Sequence, residues 1–384
     1  MKLYITDDKK EMAKLGKMIA DEKSEVYTPL LLNHIKARIR TECPNQPEEI
    51  VENRMYCSIY DYWAYGNTID EEFYYHFYEK NHEQKSEYMT MRIQNVYMNK
   101  LCCGSACIDS ATRQKVRDQL ELKYQCYELL KPYYKRDVIE IADARDYPKF
   151  VEFVKKHSEF VVKPSDFCFG IGVHKASIRD YSSVKEAFSS ILSEGVEITR
   201  NNPTRRSSIV IEELIVQCDE LSRLHPSSVN AVRVTAVRDK EGKIRMLHPW
   251  IKCGVGGKFM ASSALGGFDA LIDEDTGVVI SDGYSENGET YPFHPDTKIK
   301  IKGFQIPRWD ELKELINELM ALLPTYGYIG WDMVLTDDGW VVMEANYAGE
   351  FIWQLMLQKG CKKEFEDIIG WKMETDFWWE TCPR

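Results

Sequence analysis

The sequence predicts an α+β protein with a mainly helical, aromatic-rich N-terminal domain, and three observations carry the prediction. Apolar residues recur at helical spacing over Lys9–Ala20 and Tyr27–Arg40. From Glu159 onward, short runs rich in Val and Ile alternate with turns, which is the pattern of strands. Near the C-terminal end, GWDMVLTDDGWVVMEAN (Gly330 to Asn346) places an Asp-Gly turn between two apolar runs, a strong hairpin signal.

The 384 residues suffice for two or three packed units. Hydrophobic residues make up 44% and charged residues 29%, the balance of a globular protein in water. A net charge of −11 with interspersed signs argues against a general nucleic-acid binder, which needs a basic face. Eleven cysteines occur without paired CxxC motifs at zinc spacing, and the N-terminus shows no apolar signal segment. Reduced thiols and a cytoplasmic setting are therefore expected. No run of about 18 apolar residues exists, so no membrane-spanning helix is expected.

Met55–Tyr78 carries ten aromatic rings, from Tyr56 to Tyr78. Such a stripe is expected to pack a helical cap onto a neighbouring domain rather than to stack a ligand. Ile108–Lys135 reads as one amphipathic helix ending near Pro132, with Lys123 in its middle and Lys135 and Arg136 beyond as solvated cations. Glu159–Lys163 is a strand stopped by Pro164 and followed by a loop holding Gly170 and Gly172. A strand, a glycine-containing loop and a second strand can lay backbone N–H groups over phosphates, and Lys163 at the strand end can reach a phosphate or a purine edge. The loop lacks the Gly-Lys-Ser/Thr of a Walker motif.

Tyr181–Ser193 reads as a helix and Ser208–Ile215 as a buried strand ending in acids. Its exit, Glu212 to Ile215 with Glu213 between, can offer backbone groups to an adenine edge, and Asp219 or Glu220 can meet ribose hydroxyls. Val229–Val237 and Lys243–Ile251 form a second hairpin. Arg233 lies within an apolar strand, where it needs an acid or a phosphate, and Lys252 closes the partner strand. Arg308–Leu323 is a clear helix leading into the last hairpin. On that hairpin Glu344 and Asn346 share a face, and pairing can bring Asp332 beside them. Three hard oxygen ligands on one face suit Mg²⁺, although solvated acids on a surface hairpin would look the same.

These motifs in this order resemble the ATP-grasp superfamily, and most closely its sugar-transfer-associated branch. The stretches that carry the resemblance are KPYYKRDV, FVVKP, IEELI, HPSSVNAVRVTAV, GVGG with LGGFDALIDEDTG, HPDTKIKIKGFQIPRWDEL and GYIGWDMVLTDDGWVVMEANYAGE. It covers roughly 108–357 and leaves the first hundred residues without a counterpart.

The resemblance implies two α+β subdomains clamping ATP, with residues 1–107 as the helical domain, 108–210 as the phosphate-loop subdomain and 211–384 as the metal-site subdomain. It implies that Lys123 and Lys163 hold phosphates and the adenine edge, and that the loop with Phe169, Gly170 and Gly172 closes over the triphosphate. Glu212, Glu213 and Ile215 would meet adenine and Asp219 ribose. Asp332, Glu344 and Asn346 would bind one or two Mg²⁺, and Arg233 and Lys252 would face the transferred phosphoryl group. The activity implied is ADP-forming ligation through an acyl phosphate, between a carboxylate and an amine or hydroxyl, with surface-glycan synthesis suggested by the branch. A small-molecule kinase and a non-catalytic nucleotide-binding module are the alternatives. Two departures stand out. Gly330 occupies the position two before Asp332 where peptide-type ligases carry Arg, and Met260-Ala261-Ser262 stands where the branch leads one to expect an acid or amide.

Overall fold

A computed structural model describes residues 4–103, 110–167, 170–200, 202–261, 263–286, 288–347 and 351–373. The described chain falls into two compact units, one of residues up to 99 together with those from 351 on, and one of residues 100–350. The sequence had grouped everything after 211 into one subdomain; Phe351 onward groups instead with the N-terminal helices.

The first unit is helical. Its main helices are Lys9–Glu22, capped by Asp8, Pro29–Glu42, capped by Thr28, and Glu48–Tyr65, ended by Gly66 in the left-handed conformation. Gly16 lets the first of these lie against the third: a Cβ there would fall 1.9 Å from the Tyr56 carbonyl oxygen. The aromatic stripe fills this unit's own interior. Trp63 and Phe73 join one core, Tyr60 and Tyr65 a second, and Tyr75, Phe77 and Tyr88 a third. The expectation that the rings serve mainly as a cap for a neighbour is corrected accordingly, because burying them locally already supplies a small helical unit with its apolar area.

This unit also buries charge. Lys85 donates to both carboxylate oxygens of Asp61 at 2.8 and 2.7 Å, with both side chains out of water. Glu72 is fully buried nearby and accepts from Asn67 Nδ2 at 3.0 Å. Burial, and then the negative charge of Asp61, push the Glu72 carboxyl up to about 8; burial pushes Glu71 up to about 7. The folded state thus holds protons that the unfolded chain releases above its ordinary carboxylate range. The stabilisation is complete at acid pH and is lost as pH rises through the folded values. The thermal midpoint is therefore expected to fall between pH 6 and pH 8.5 by several degrees, and Glu72→Gln to remove much of that fall. An equal fall in the variant would count against this assignment.

The second unit holds two antiparallel sheets. The strands are β1 (Val138–Ile141), β2 (Glu159–Pro164), β3 (His174–Ser177), β4 (Ile209–Glu213), β5 (Ala231–Arg238), β6 (Ile244–Cys253), β7 (Phe268–Leu271), β8 (Gly283–Tyr284), β9 (Thr290–Tyr291), β10 (Tyr328–Thr336) and β11 (Gly339–Asn346). They form a four-stranded sheet in the order β1-β4-β2-β3 and a seven-stranded sheet in the order β11-β10-β5-β6-β7-β8-β9. Helices Tyr147–Lys156 and Val184–Arg200 pack Phe150, Phe153, Phe188 and Ile191 onto the small sheet's Phe160, Val162, Ile209 and Ile211. Helix Trp309–Leu322 buries Leu312, Ile316 and Leu319.

The predicted helix over 108–135 is two helices, Ser110–Glu121 and Lys123–Tyr134. Leu122 between them is extended, at φ −83° and ψ 106°. Lys123 is thus the first residue of a helix rather than the middle of one. Pro132 lies inside the second helix, where Leu130 is non-helical. Among the described residues no helix is long and apolar enough to cross a membrane, and all eight described cysteines are free thiols.

Candidate active site

One face of the large sheet carries a row of acidic and basic side chains, and strand register sets the row. On β10, Asp332 lies opposite Glu344 of β11 on one side and opposite Arg233 of β5 on the other. Gly330 lies opposite Asn346, which brings the three predicted metal ligands together. A bulge at Met343 interrupts the pairing just beyond Asp332. Arg233 lies opposite Trp250, Ala231 opposite Lys252, and Lys252 opposite Asp269 of β7. Because directly opposed residues share a face, the row passes from acids (Glu344, Asp332) through cations (Arg233, Lys252) to a further acid, Asp269.

Asp332 is buried and heavily neutralised. Arg233 grips it bidentately, Nε to Oδ1 at 2.6 Å and Nη2 to Oδ2 at 2.9 Å. Lys252 Nζ lies 3.3 Å from Oδ1. Burial alone would raise this carboxyl, but Arg233 and then Lys252 outweigh it and hold Asp332 well below the usual carboxylate range. Asn346 Nδ2 donates to the Gly330 carbonyl at 3.2 Å and to Asp332 Oδ2 at 3.5 Å.

The small sheet contributes a second ion cluster. Glu212 on β4 is buried between Lys163 Nζ, at 2.9 Å, and the Arg136 guanidinium, with Nε at 3.1 Å and Nη2 at 2.9 Å. Burial opposes ionisation here too, and the two cations reverse it, bringing Glu212 down to about 2. Arg136 also donates to the carbonyls of Val342 at 2.7 Å and Met343 at 3.2 Å on β11. One guanidinium therefore joins the two sheets. Its sequence reading as a solvated cation is corrected: its partners lie some seventy and two hundred residues further on, beyond any local pattern. Lys123, at the start of its helix, donates to the Phe167 carbonyl and lies 3.7 Å from Glu344 Oε1.

Between the sheets is a cavity of about 450 Å³. It is lined by Lys123, Lys163, Gly170, Glu212, Glu213, Ile215, Arg233, Lys252, Asp332, Glu344 and Asn346, so eleven sequence-predicted residues converge there. Gly172 is not in this lining but sits between Gly170 and Val173, which are; it is left-handed, φ 72°, and a Cβ on it would press on Pro164 Cγ at 2.7 Å. Phe169 lies outside the described residues. Asp219 does not line the cavity: it is exposed at the start of the short helix Asp219–Ser222, next to Cys218, whose N–H bonds to Leu335.

The cavity also draws in residues the sequence did not single out. Arg205 donates to the Asp166 carbonyl at 2.7 Å and lies over the Phe167 ring at 5.4 Å. Trp250, Phe259, Asp269 and Glu286 form the wall beyond Lys252, and Ser263 donates to Glu286 at 2.9 Å. The only local signal for these was the glycine-rich stretch from Gly254 to Gly267, which marks a loop without saying what it faces.

The two sheets, this cleft and the order of its residues are those of an ATP-grasp protein with a helical N-terminal region. The chain belongs to the sugar-transfer associated ATP-grasp family, whose model matches residues 78–369. Among solved structures it is similar to D-alanyl-alanine synthetase A from Vibrio cholerae O1 biovar eltor, at 13% identity over 62% of this chain and 60% of that chain, with a TM-score of 0.36. It is similar to D-alanine–D-alanine ligase from Bacillus anthracis, at 17% identity over 64% and 63%, TM-score 0.34. Phosphoribosylamine–glycine ligase from Thermotoga maritima matches at 14% identity over 68% and 57%, TM-score 0.42. In each case the match covers less than two thirds of the other chain's length. No curated protein matches the sequence. ATP-grasp enzymes bind ATP with Mg²⁺.

Proposed function

We propose that the chain is an ATP- and Mg²⁺-dependent ligase that activates a carboxylate as an acyl phosphate and joins it to an amine or hydroxyl. The observation that carries this reading is the ordered row of charge in one cavity, with acids for a metal, then cations for phosphate, then an acid and aromatic wall. In this reading residues 108–210 form the half with the phosphate loop and residues from 211 the half with the metal site.

Adenine meets the backbone at Glu213 to Ile215, beside the apolar Val229 and Met343. Lys163 and Lys123, now held by Glu212 and Glu344, turn to the α- and β-phosphates as these enter, while the Gly170–Gly172 loop covers them. The donor set of Asp332, Glu344 and Asn346 fits Mg²⁺, being all hard oxygen with room beside it for phosphate oxygens. Bound there, Mg²⁺ would neutralise charge on the phosphate oxygens. Arg233 and Lys252 orient the γ-phosphoryl and stabilise its charge as the substrate carboxylate oxygen attacks phosphorus and ADP leaves. The amine nitrogen or hydroxyl oxygen then attacks the acyl carbon, the C–O bond to phosphate breaks, and inorganic phosphate departs. Trp250, Asp269 and Glu286 form the wall against which the second substrate sits.

Lys163→Ala is expected to weaken binding of Mg²⁺ and a non-hydrolysable ATP analogue by roughly 10- to 100-fold, one charge-assisted phosphate contact being worth about 1.5–3 kcal/mol. Unchanged affinity by calorimetry would remove Lys163 from the phosphate site.

Gly330 keeps a second reading in play. Without an Arg before Asp332, the clamp could pass its phosphoryl group to a hydroxyl and stop there, as a kinase does. A screen of ADP release against amino acids and sugar acids, with products identified by mass spectrometry, separates the two. A ligase yields ADP, phosphate and an amide or ester, whereas a kinase yields ADP and a phosphoester. A substrate in surface-glycan synthesis follows from the family's description alone, so sugar acids lead the screen. A protein that neither binds the Mg²⁺–analogue complex nor releases ADP with any pair would defeat both readings.

A further inference from the structure

Two His-Pro segments, His225-Pro226 and His294-Pro295, lie outside the cavity and have no part in the steps above, yet their rings are buried and stacked, with centroids 5.3 Å apart. Their hydrogen bonds fix both tautomers. His294 Nδ1 accepts the backbone N–H of Asp296 at 3.2 Å and of Thr297 at 3.4 Å, so the Nε2–H is the donor facing the Gly254 carbonyl at 3.0 Å. His225 Nδ1 accepts the Ser228 N–H at 3.2 Å and meets Ser228 Oγ at 2.7 Å. Its Nε2–H is thus turned toward Asp296 Oδ2, 3.7 Å away. The same Asp296 Oδ2 accepts the N–H of Gly256 at 2.7 Å. Thr297 Oγ1 ties the turn to the Leu224 carbonyl at 2.9 Å.

These bonds converge on one end of the loop after β6. Gly254 is held so closely that a Cβ would fall 2.5 Å from Ser228 Oγ. Gly256 and Gly257 are both left-handed, at φ 70°. A few residues on, Phe259, Met260 and Ala261 line the cavity. Met260 also meets the phosphate loop of the small sheet: a Cβ on Gly170 would be 3.1 Å from Met260 Cε. The loop from the large sheet and the loop from the small sheet thus meet over the cavity, and the former is anchored by the stacked histidines and Asp296.

We propose that His294 and Asp296, standing on His225, are positioning residues that latch the loop 254–261 over the cavity, and that the latch holds only while both imidazoles are neutral. That this cavity is the nucleotide cleft rests on the function proposed above; the latch itself does not. Adding a proton to either Nδ1 would remove an acceptor for backbone N–H groups, and protonating both would set two cations face to face. The groups facing the pair are Asp296, which favours protonation, and Lys298, which opposes it at His294. Burial lowers both rings from their ordinary value, so the latch is closed at neutral pH and is strained as pH falls below the ordinary imidazole range.

Tryptic cleavage after Lys258, an exposed residue in the loop, reads the latch in nucleotide-free protein. Asp296→Ala and His294→Phe are each expected to speed that cleavage at least fivefold, whereas His294→Gln, which can still donate to Gly254, leaves it within about twofold. If His294→Phe does not fold, Asp296→Ala decides, since the Asp296 side chain is 40% exposed. Hydrogen exchange of the 254–261 segment, corrected for intrinsic rates, is expected to quicken between pH 7.5 and 5.5 in the unaltered protein and less in His294→Gln. Unchanged cleavage in Asp296→Ala, or a pH response equal in His294→Gln, overturns the proposal. Slowing of the same cleavage by Mg²⁺ with the ATP analogue tests the cavity reading separately. Its absence, with the variant effects present, would leave the latch standing and remove the nucleotide from it.

Discussion

Replacing Glu344 by alanine is expected to cut ATP turnover by roughly a hundredfold or more while leaving the protein folded, because charge stabilisation at a transferring phosphoryl group is a dominant catalytic term. The two halves of that expectation have separate causes. Glu344 faces the cavity opposite Asp332 and is the more accessible of the two acids, with its side chain 39% exposed. Its ion pair with Lys123, at 3.7 Å, is the kind that contributes only about 0–1 kcal/mol to stability. Its loss therefore costs the fold little. In the proposed reading it also removes one of two carboxylates from Mg²⁺, so the Mg²⁺-dependent part of ATP affinity should fall with turnover. ADP release measured across a Mg²⁺ titration checks this. Turnover like that of the unaltered protein at ordinary Mg²⁺ would remove Glu344 from the site.

Arg233→Met is expected to do the opposite to stability. It leaves Asp332 in the interior with Lys252 beside it, and breaking a buried pair from one side costs about 3–5 kcal/mol. Urea unfolding should show that loss, together with the loss of turnover expected of a phosphate-facing cation. The double variant Arg233→Met with Asp332→Asn separates the two effects. Removing both charges should restore much of the stability and none of the turnover. A double variant as unstable as the single one would mean that Arg233 supports the sheet by packing against Trp250, over whose ring its guanidinium lies at 5.6 Å, rather than by charge.

The two kinds of feature differ in how far they were legible from sequence. The final hairpin was, because its turn, its alternation and its acids lie within seventeen consecutive residues, and pairing across a tight turn fixes which residues face each other. The register set by the turn would place Asp332 opposite Met343, and it is the bulge at Met343, which no sequence signal marks, that shifts the pairing by one and puts Glu344 there. Lys163 was legible as the last charged residue of an apolar strand. Arg136 was not, since only the meeting of β4 with β11 gives it an acid and two carbonyls. The break at Leu122 was not legible either, for no Gly or Pro marks it, and it moved Lys123 to a helix start. Asp219 shows a related limit: a strand exit predicts which way the chain leaves the sheet, but not that a short helix begins there with the acid exposed. Trp250 and Asp269 reached the cavity from strands two and three places beyond the hairpin in the sheet, a pairing order that sequence neighbours do not encode.

Arg136 has a mechanical consequence. Its guanidinium is fastened to Glu212 on one sheet and to the Val342 and Met343 carbonyls on the other. Any gaping of the cleft that preserves those bonds pivots near that guanidinium. The loops of Gly170 and Met260, which approach each other from the two sheets, then part as one sheet turns against the other and admit a substrate without unpairing a strand.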